Sequence, residues 1–354
     1  MLLRLVLRPQ PRSLFCSSVS ICVHPWFCFP HVKLTEMREW LDKRDIQLTK
    51  SLGQNFLHDA HQLERIVGAA ELIKADKVLE IGPGLGPLTE LLLARAGEVL
   101  AIETDVRLVE VLRARFGSTL ALTPALSPGE RENEAKAQVN PIASDFAQRR
   151  SEELPLLGER AGVREGTSPK FELLHDDALE FIRREQRNWG DWKLVANLPY
   201  SVASPILVEL AQSPQRPKQM TVTLQLEVAQ RLMAQADDDD YGVLTLLVQL
   251  DYEPRNWFKI PASCFFPAPE VDSACVTLVR REKPFLTDDQ RAAFVRIVKL
   301  AFSQRRKMMM KLLKTEWPLE KLQHAFAELN ISPQERAEKL SLEQFVELTK
   351  LLTS

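Results

Sequence analysis

From Lys77 onward, short apolar runs of strand character alternate with segments whose apolar residues recur at helical spacing. "KVLEIG" reads as a buried strand, "PLTELLLARA" as a helix with Pro87 in its first turn, "EVLAIE" as a second strand and "VRLVEVLRARF" as a second helix. The alternation resumes with "FELLHD", a helix from about Ala178, "KLVAN", a helix from about Ala203, and "MTVTLQL". "YGVLTLLVQL" suits a buried helix or a buried strand, and "ACVTLVR" alternates like a late strand. A chain that switches period in this way is expected to fold as α/β, with a parallel sheet covered by helices on both faces.

Two stretches fall outside the pattern. Between Leu120 and Lys170, "LTPALSPGERENEAKAQ" and "LPLLGERAGVREGTSPK" carry no apolar period, so the segment reads as a low-complexity insertion tolerated by the α/β unit. Residues 1–36 have no acid before Glu36 and carry Arg4, Arg8 and Arg12. That stretch reads either as a transit peptide or as an upstream extension with Met37 as the natural start, and it is set outside the fold. Its apolar run from Leu14 to Val23 is too short and polar to span a membrane. The remainder divides into a sheet domain over 37–282 and, after Pro284, a small helical domain over 283–354.

The 354 residues have a formal net charge of -2, so any affinity for nucleic acid must come from a local basic face. "VKLAFSQRRKMMMKLLK" offers one: Lys299, Arg305, Arg306, Lys307, Lys311 and Lys314 stand among apolar residues at helical spacing. Three of the five cysteines lie in the first 28 residues, and Cys264 and Cys275 stand too far apart for a metal pair, so neither a disulfide framework nor a zinc site is expected. Asp237 to Asp240 precede a Tyr-Gly pair and read as a solvated turn.

"EIGPGLG" follows a strand and opens a helix, so Gly82, Gly84 and Gly86 permit a tight turn and close backbone approach to a nucleotide. Glu103, 21 residues after Gly82 at the next strand end, is placed to accept hydrogen bonds from ribose hydroxyls. Asp177 ends a third strand and can receive the amino group of an adenine ring. These features suit S-adenosylmethionine and a nicotinamide dinucleotide alike. "KSLGQNFLHD" sets Gly53, Gln54 and Asn55 ahead of Phe56 and Leu57, as a helix cap or as a cover for a cofactor. "VANLPYSVASP" puts Asn197, Pro199 and Tyr200 where a buried sheet meets solvent, as a turn or as a pocket for a flat, amine-bearing ring.

Taken in order, "GQNFL", "LEIGPGLG", "IETD", "DDAL", "NLPY" and "FFPAPEVDSA" resemble the ribosomal RNA adenine N6,N6-dimethyltransferase family, from about Met37 to the C-terminus apart from the insertion. The resemblance implies a Rossmann-like class I methyltransferase sheet with a C-terminal all-α domain, and S-adenosyl-L-methionine as cofactor. It carries Asn55, Leu57, Gly82, Gly84, Glu103, Asp177 and Asn197 over as cofactor contacts. It implies that the Asn197 side-chain oxygen and a carbonyl of the Leu198–Pro199 turn accept the two N6 hydrogens of adenine, while Tyr200 and Phe265 stack on the base. Arg305, Arg306, Lys307 and Lys311 become RNA-binding candidates.

The implied reaction is dimethylation of two adjacent adenosines near the 3′ end of small-subunit ribosomal RNA. The implied partner is the immature small ribosomal subunit, and the enzyme is expected to be a cytoplasmic monomer, or mitochondrial if the N-terminal stretch is a transit peptide, with no metal and no membrane. Three alternatives stand beside it: a large-subunit methyltransferase of the macrolide-resistance type, a mitochondrial homologue doubling as a transcription factor, and an assembly factor whose binding outweighs its methylation.

Overall fold

The structure is a computed structural model that describes residues 34–44, 46, 54–117, 119, 169–185, 187–304 and 306–354. The expectations about residues 1–33, about most of the insertion and about Arg305 lie outside the described residues.

The elements run α1 (Leu34–Lys43), β1 (Phe56–Leu57), α2 (Ala60–Ala69), β2 (Lys77–Ile81), α3 (Pro87–Arg95), β3 (Glu98–Glu103) and α4 (Val106–Phe116). Then come β4 (Lys170–His175), α5 (Ala178–Arg184), β5 (Trp192–Asn197), α6 (Ala203–Gln212), β6 (Gln219–Gln225), α7 (Leu226–Met233) and α8 (Val243–Gln249). The chain closes with β7 (Tyr252–Ile260), β8 (Phe265–Phe266), β9 (Ser273–Arg280), α9 (Asp288–Ala301), α10 (Met309–Leu313), α11 (Leu319–Glu328) and α12 (Leu342–Thr353).

Seven strands form one sheet in the order β4-β3-β2-β5-β6-β9-β7. The first five are parallel, as the alternating periods predict, with β2 pairing β3 and β5, β3 pairing β4, and β5 pairing β6. The last two depart from the all-parallel expectation: β9 runs antiparallel to β6, and β7 antiparallel to β9. Residues 261–272, between β7 and β9, hold a 3-10 turn and β8 and no crossover helix, so β9 returns antiparallel beside β7. Helix α1 begins at Leu34, ahead of Met37, so residues 34–36 belong to a helix whose Met37 and Leu41 are buried.

Local chemistry sets the helix starts that border the sheet's C-terminal edge. Asp59, Asp105 and Asp177 each accept a backbone N–H from the first turn of α2, α4 and α5. Gly86 enters α3 at a φ of 83°, with Pro87 at the first helical position. Two apolar cores cover the two faces of the sheet, one built around Leu79, Ile102, Leu194 and Ile206, the other around Val78, Val99, Leu92 and Ile66.

The C-terminal helices share a further core with the segment before β7: Tyr241, Leu246 and Leu250 pack with Phe294, Ile297, Phe326 and Phe345. Asp251, buried, accepts Arg216 and both terminal nitrogens of Arg291, tying α9 to the sheet side. The basic run does not form one amphipathic helix. Helix α9 stops at Ala301 and α10 starts at Met309, so Arg306 and Lys307 occupy the connection, while Lys311 lies on the solvent side of α10 opposite the buried Met309, Met310, Leu312 and Leu313. Among the described residues no helix is long and apolar enough to cross a membrane, and no group of His, Cys, Asp or Glu is placed to hold a metal ion.

Candidate active site

The C-terminal ends of β2, β3, β4 and β5 open into one cavity of about 250 Å³. In doubly wound sheets a ligand crevice forms at this edge, where strand order reverses. Here β2 lies between β3 and β5, and the turn after β2 forms the cavity floor.

That turn requires glycine at two positions. Gly82 and Gly84 have φ of 65° and 61°, a region that L side chains rarely adopt. A Cβ on Gly84 would stand 2.7 Å from the Phe56 ring, and one on Gly82 would press on Pro199 at 3.2 Å. The glycine turn, the "QNFL" segment and the "NLPY" segment are thus packed against one another, although 142 residues separate Asn55 from Asn197.

Glu103 closes the next strand with its carboxylate already engaged: Oε2 accepts Gly84 N–H at 3.1 Å, and Oε1 accepts the N–H groups of Thr104 and Asp105 at 2.9 and 3.0 Å. Burial raises its pKa, and the three backbone donors oppose that rise. It therefore braces the glycine turn as well as lining the cavity. Asp177 caps α5 through Oδ1, while its neighbour Asp176 is drawn to Arg184 at 2.6 Å. Gln54 donates to Asp105 at 2.9 Å and so pins the segment before β1 over the cavity.

Asn197 ends β5. Its Nδ2 donates to the Asn55 carbonyl at 3.1 Å, which fixes the amide so that Oδ1 is the free end. Oδ1 is buried and has no hydrogen-bond partner. Leu198 N–H bonds across to Thr223 O, and of the two carbonyls in the Leu198–Pro199 turn it is Pro199 O that accepts Val202 N–H. Tyr200 bonds through its hydroxyl to Ser273 Oγ at 2.6 Å, and burial raises the Tyr200 pKa.

The cavity brings together Asn55, Leu57, Gly82, Gly84, Glu103, Asp177, Asn197, Leu198, Pro199 and Tyr200. Phe265 is not among its walls, a correction to the expectation of a second stacking ring. The ladder that pairs Leu57 with Phe265 and Phe56 with Phe266 turns Phe265 into the core, where it is 3% exposed beside Leu57, Leu63 and Cys275. Two neighbouring phenylalanines on an extended segment face opposite ways, and sequence alone does not say which faces the site.

Glu80 was not singled out from the sequence, yet it belongs to the cavity. It is 1% exposed, its Oε2 lacks a hydrogen-bond partner, and burial pushes its carboxyl up to about 8, with the nearby Glu103 acting in the same direction. A charged residue inside the four-residue buried run of "KVLEI" was the available signal. Among the described residues the lining holds Glu80, Glu103, Asp176 and Asp177 and no lysine or arginine, so these walls favour a cationic or neutral ligand over a pyrophosphate.

The chain is similar to known proteins over most of its length. The family model of ribosomal RNA adenine dimethylase matches residues 46–123 and 156–354, leaving a gap within the segment expected to be an insertion. The ribosomal RNA small subunit methyltransferase A of Clostridium perfringens is 35% identical over 320 residues, 89% of this chain and 94% of that protein. The Moorella thermoacetica protein of the same name is 35% identical over 304 residues, 86% of this chain and 92% of its own. Among solved structures, a dimethyladenosine transferase from Plasmodium falciparum superposes with a TM-score of 0.60 at 22% identity, covering 83% of this chain and 95% of that one. The 23S rRNA methyltransferase ErmE does so with a TM-score of 0.56 at 24% identity, covering 85% of this chain and all of that one. These two superpositions establish a Rossmann-like methyltransferase fold. With the glycine turn, the strand-end acids and the Asn-Leu-Pro-Tyr turn converging on one cavity, and the family model spanning most of the sequence, the chain belongs to the ribosomal RNA adenine dimethylases.

Proposed function

We propose that this chain uses S-adenosylmethionine to dimethylate N6 of two adjacent adenosines in a loop near the 3′ end of small-subunit ribosomal RNA, and thereby contributes to maturation of the small subunit. The observation that carries the chemistry is the buried, unpartnered Oδ1 of Asn197. A buried acceptor without a donor is costly, and an entering amine would satisfy it. When bound, the cofactor supplies an electrophilic methyl group on a sulfonium.

The amine of adenine is a weak nucleophile because its lone pair is delocalised into the ring. Asn197 Oδ1 and the Leu198 carbonyl each accept one N6 hydrogen, which pyramidalises the nitrogen and frees its lone pair. The N6 proton becomes acidic as the nitrogen gains its fourth bond, so it leaves to solvent without a strong base. Tyr200 stacks on the base, a contact worth about 1–3 kcal/mol. The acidic lining supports a cationic cofactor in place of a dinucleotide.

The 35% identical relatives named for the small subunit support that substrate over the large-subunit alternative. Methyl transfer from labelled S-adenosylmethionine to immature small subunits, followed by mapping of the modified nucleotides, tests the proposal; methyl groups found elsewhere, or none, would sink it.

The Ser273 hydroxyl acts through Tyr200. Ser273→Ala and Tyr200→Phe each remove one side of their hydrogen bond, so each should slow single-turnover methylation about three- to tenfold, in line with roughly 1 kcal/mol for a net hydrogen bond. The double variant should be no slower than either single one, and additive losses would show that the two hydroxyls act separately.

Residues 283–354 supply the grip on RNA in this proposal. Arg306, Lys307 and Lys311 are exposed, and none is bonded to a carboxylate among the described residues. Changing all three to Gln should weaken RNA binding and flatten its salt dependence by about 0.7–0.9 per lost phosphate contact, with cofactor affinity unchanged. Titrations at several salt concentrations read this directly, and a wild-type slope would leave these residues as a solvated surface.

A further inference from the structure

The segment from Phe266 to Ser273 is joined at both ends to residues that line the cavity. At one end Phe266 pairs with Phe56, whose ring lies over Gly84 on the cofactor side. At the other, Ser273 holds Tyr200 on the base side. Asp272 anchors the segment: its carboxylate accepts Ala262 N–H at 2.9 Å and Lys259 at 2.7 Å, and its carbonyl accepts Leu226 N–H. Val271 before it is 47% exposed. The segment is therefore fixed in place and partly apolar.

Helix α1 packs against Phe56 and Phe266 and so brings Arg38 beside this segment. Arg107 is bonded to Asp105, Arg184 to Asp176 and Lys259 to Asp272. Arg38 is exposed on α1 and has no carboxylate partner among the described residues. Asp42, one helical turn on, stands where an i,i+4 partner belongs, and Lys43 pairs with Glu39 in that way. Arg38 instead places its guanidinium over the Phe266 ring, 4.9 Å from the centroid.

Stacking uses the face of a guanidinium and leaves its N–H donors, which lie in the plane, directed outward. A flat guanidinium stacked on a ring, with no carboxylate partner among the described residues, suits a bidentate anion such as a phosphodiester. We propose that Arg38, laid on Phe266, binds a backbone phosphate of the RNA strand that flanks the adenosine entering the cavity. The inference rests on the reading above that the substrate is RNA. Phosphate contacts fix register, so this one would align the neighbouring nucleotides while the target base leaves its stack.

The test uses the full chain and immature small ribosomal subunits at fixed magnesium, titrated over a range of potassium chloride. Arg38→Gln should weaken binding about three- to tenfold and lower the salt slope by about 0.7–0.9, as for one lost phosphate contact. Cofactor affinity by calorimetry and the thermal midpoint should match wild type. Phe266→Leu keeps the charge and removes its platform, so affinity should fall a few-fold with the slope retained. An Arg38→Gln variant with wild-type affinity and slope overturns the proposal. So does one that loses cofactor affinity or thermal stability to the same degree, because Arg38 would then be a pin for α1. An unaltered Phe266→Leu variant overturns the stacked presentation. Failure of the RNA reading shows separately, as a wild-type protein that transfers no methyl group to the subunits.

Discussion

Asn197→Ala should lower single-turnover methylation by about two to three orders of magnitude while leaving the fold and the salt dependence of RNA binding in place. The size follows from what losing one preorganised polar group at a reacting centre typically costs. Two features of the site make Asn197 such a group. Its Oδ1 is buried without a partner, so no bond within the protein has to break before it accepts an incoming N–H. Its Nδ2 is committed to the Asn55 carbonyl, so the amide cannot rotate to present a donor. Asn197→Asp separates the two features. It keeps an acceptor in the cavity but sets a carboxylate oxygen against the Asn55 carbonyl, so its turnover should lie between wild type and Ala. Cofactor affinity should fall far less than turnover in both. A loss below tenfold in a folded Ala variant would remove Asn197 from the chemistry.

The parallel half of the sheet was legible because each of its strands is a compact apolar run next to a helix with a clear period. The antiparallel half was harder to read. Strand β7, "YEPRNWFKI", is an edge strand with Glu253, Asn256, Trp257 and Lys259 exposed and Pro254 within it, so it lacks both the apolar run and the clean alternation that mark a strand. The helical tail misled in another way. Apolar spacing continues across Phe302 and Met308, but the helix ends there and lets Met309, Met310 and Leu313 pack onto α9 and its neighbours. Periodicity reports which residues want burial and says nothing of a turn that changes direction between two such stretches. In the site, the glycines after β2 and the polar strand ends stand where a ligand is expected, whereas Glu80 lies inside the buried run of β2, and its side chain reaches the cavity only because the pleat turns it to that face.

Glu80→Gln should act in opposite directions on stability and on ligand binding, and the pH dependence reveals why. The native carboxyl is held at about 8 by burial, against an ordinary value of 4.5. Between those values the native state keeps a proton that the unfolded chain has released, so stability falls as pH rises through that window. Glutamine has no proton to lose. The variant and the wild type should therefore unfold alike near pH 4.5, and by pH 8 the variant should be more stable by on the order of 4 kcal/mol, at about 1.4 kcal/mol for each pKa unit crossed between 4.5 and about 8. Urea unfolding at the two pH values measures this, and equal stability at pH 8 would mean that Glu80 is solvated in the native state. A cationic cofactor reverses the balance, because a positive charge in the cavity favours the ionised carboxylate. Wild-type binding near pH 7 should then release a proton, seen in calorimetry as a dependence on the ionisation enthalpy of the buffer, and Glu80→Gln should lose both that release and about tenfold or more in affinity. Proton release that persists in the Gln variant would assign it to Glu103, the neighbouring buried acid, and leave Glu80 as part of the cavity wall.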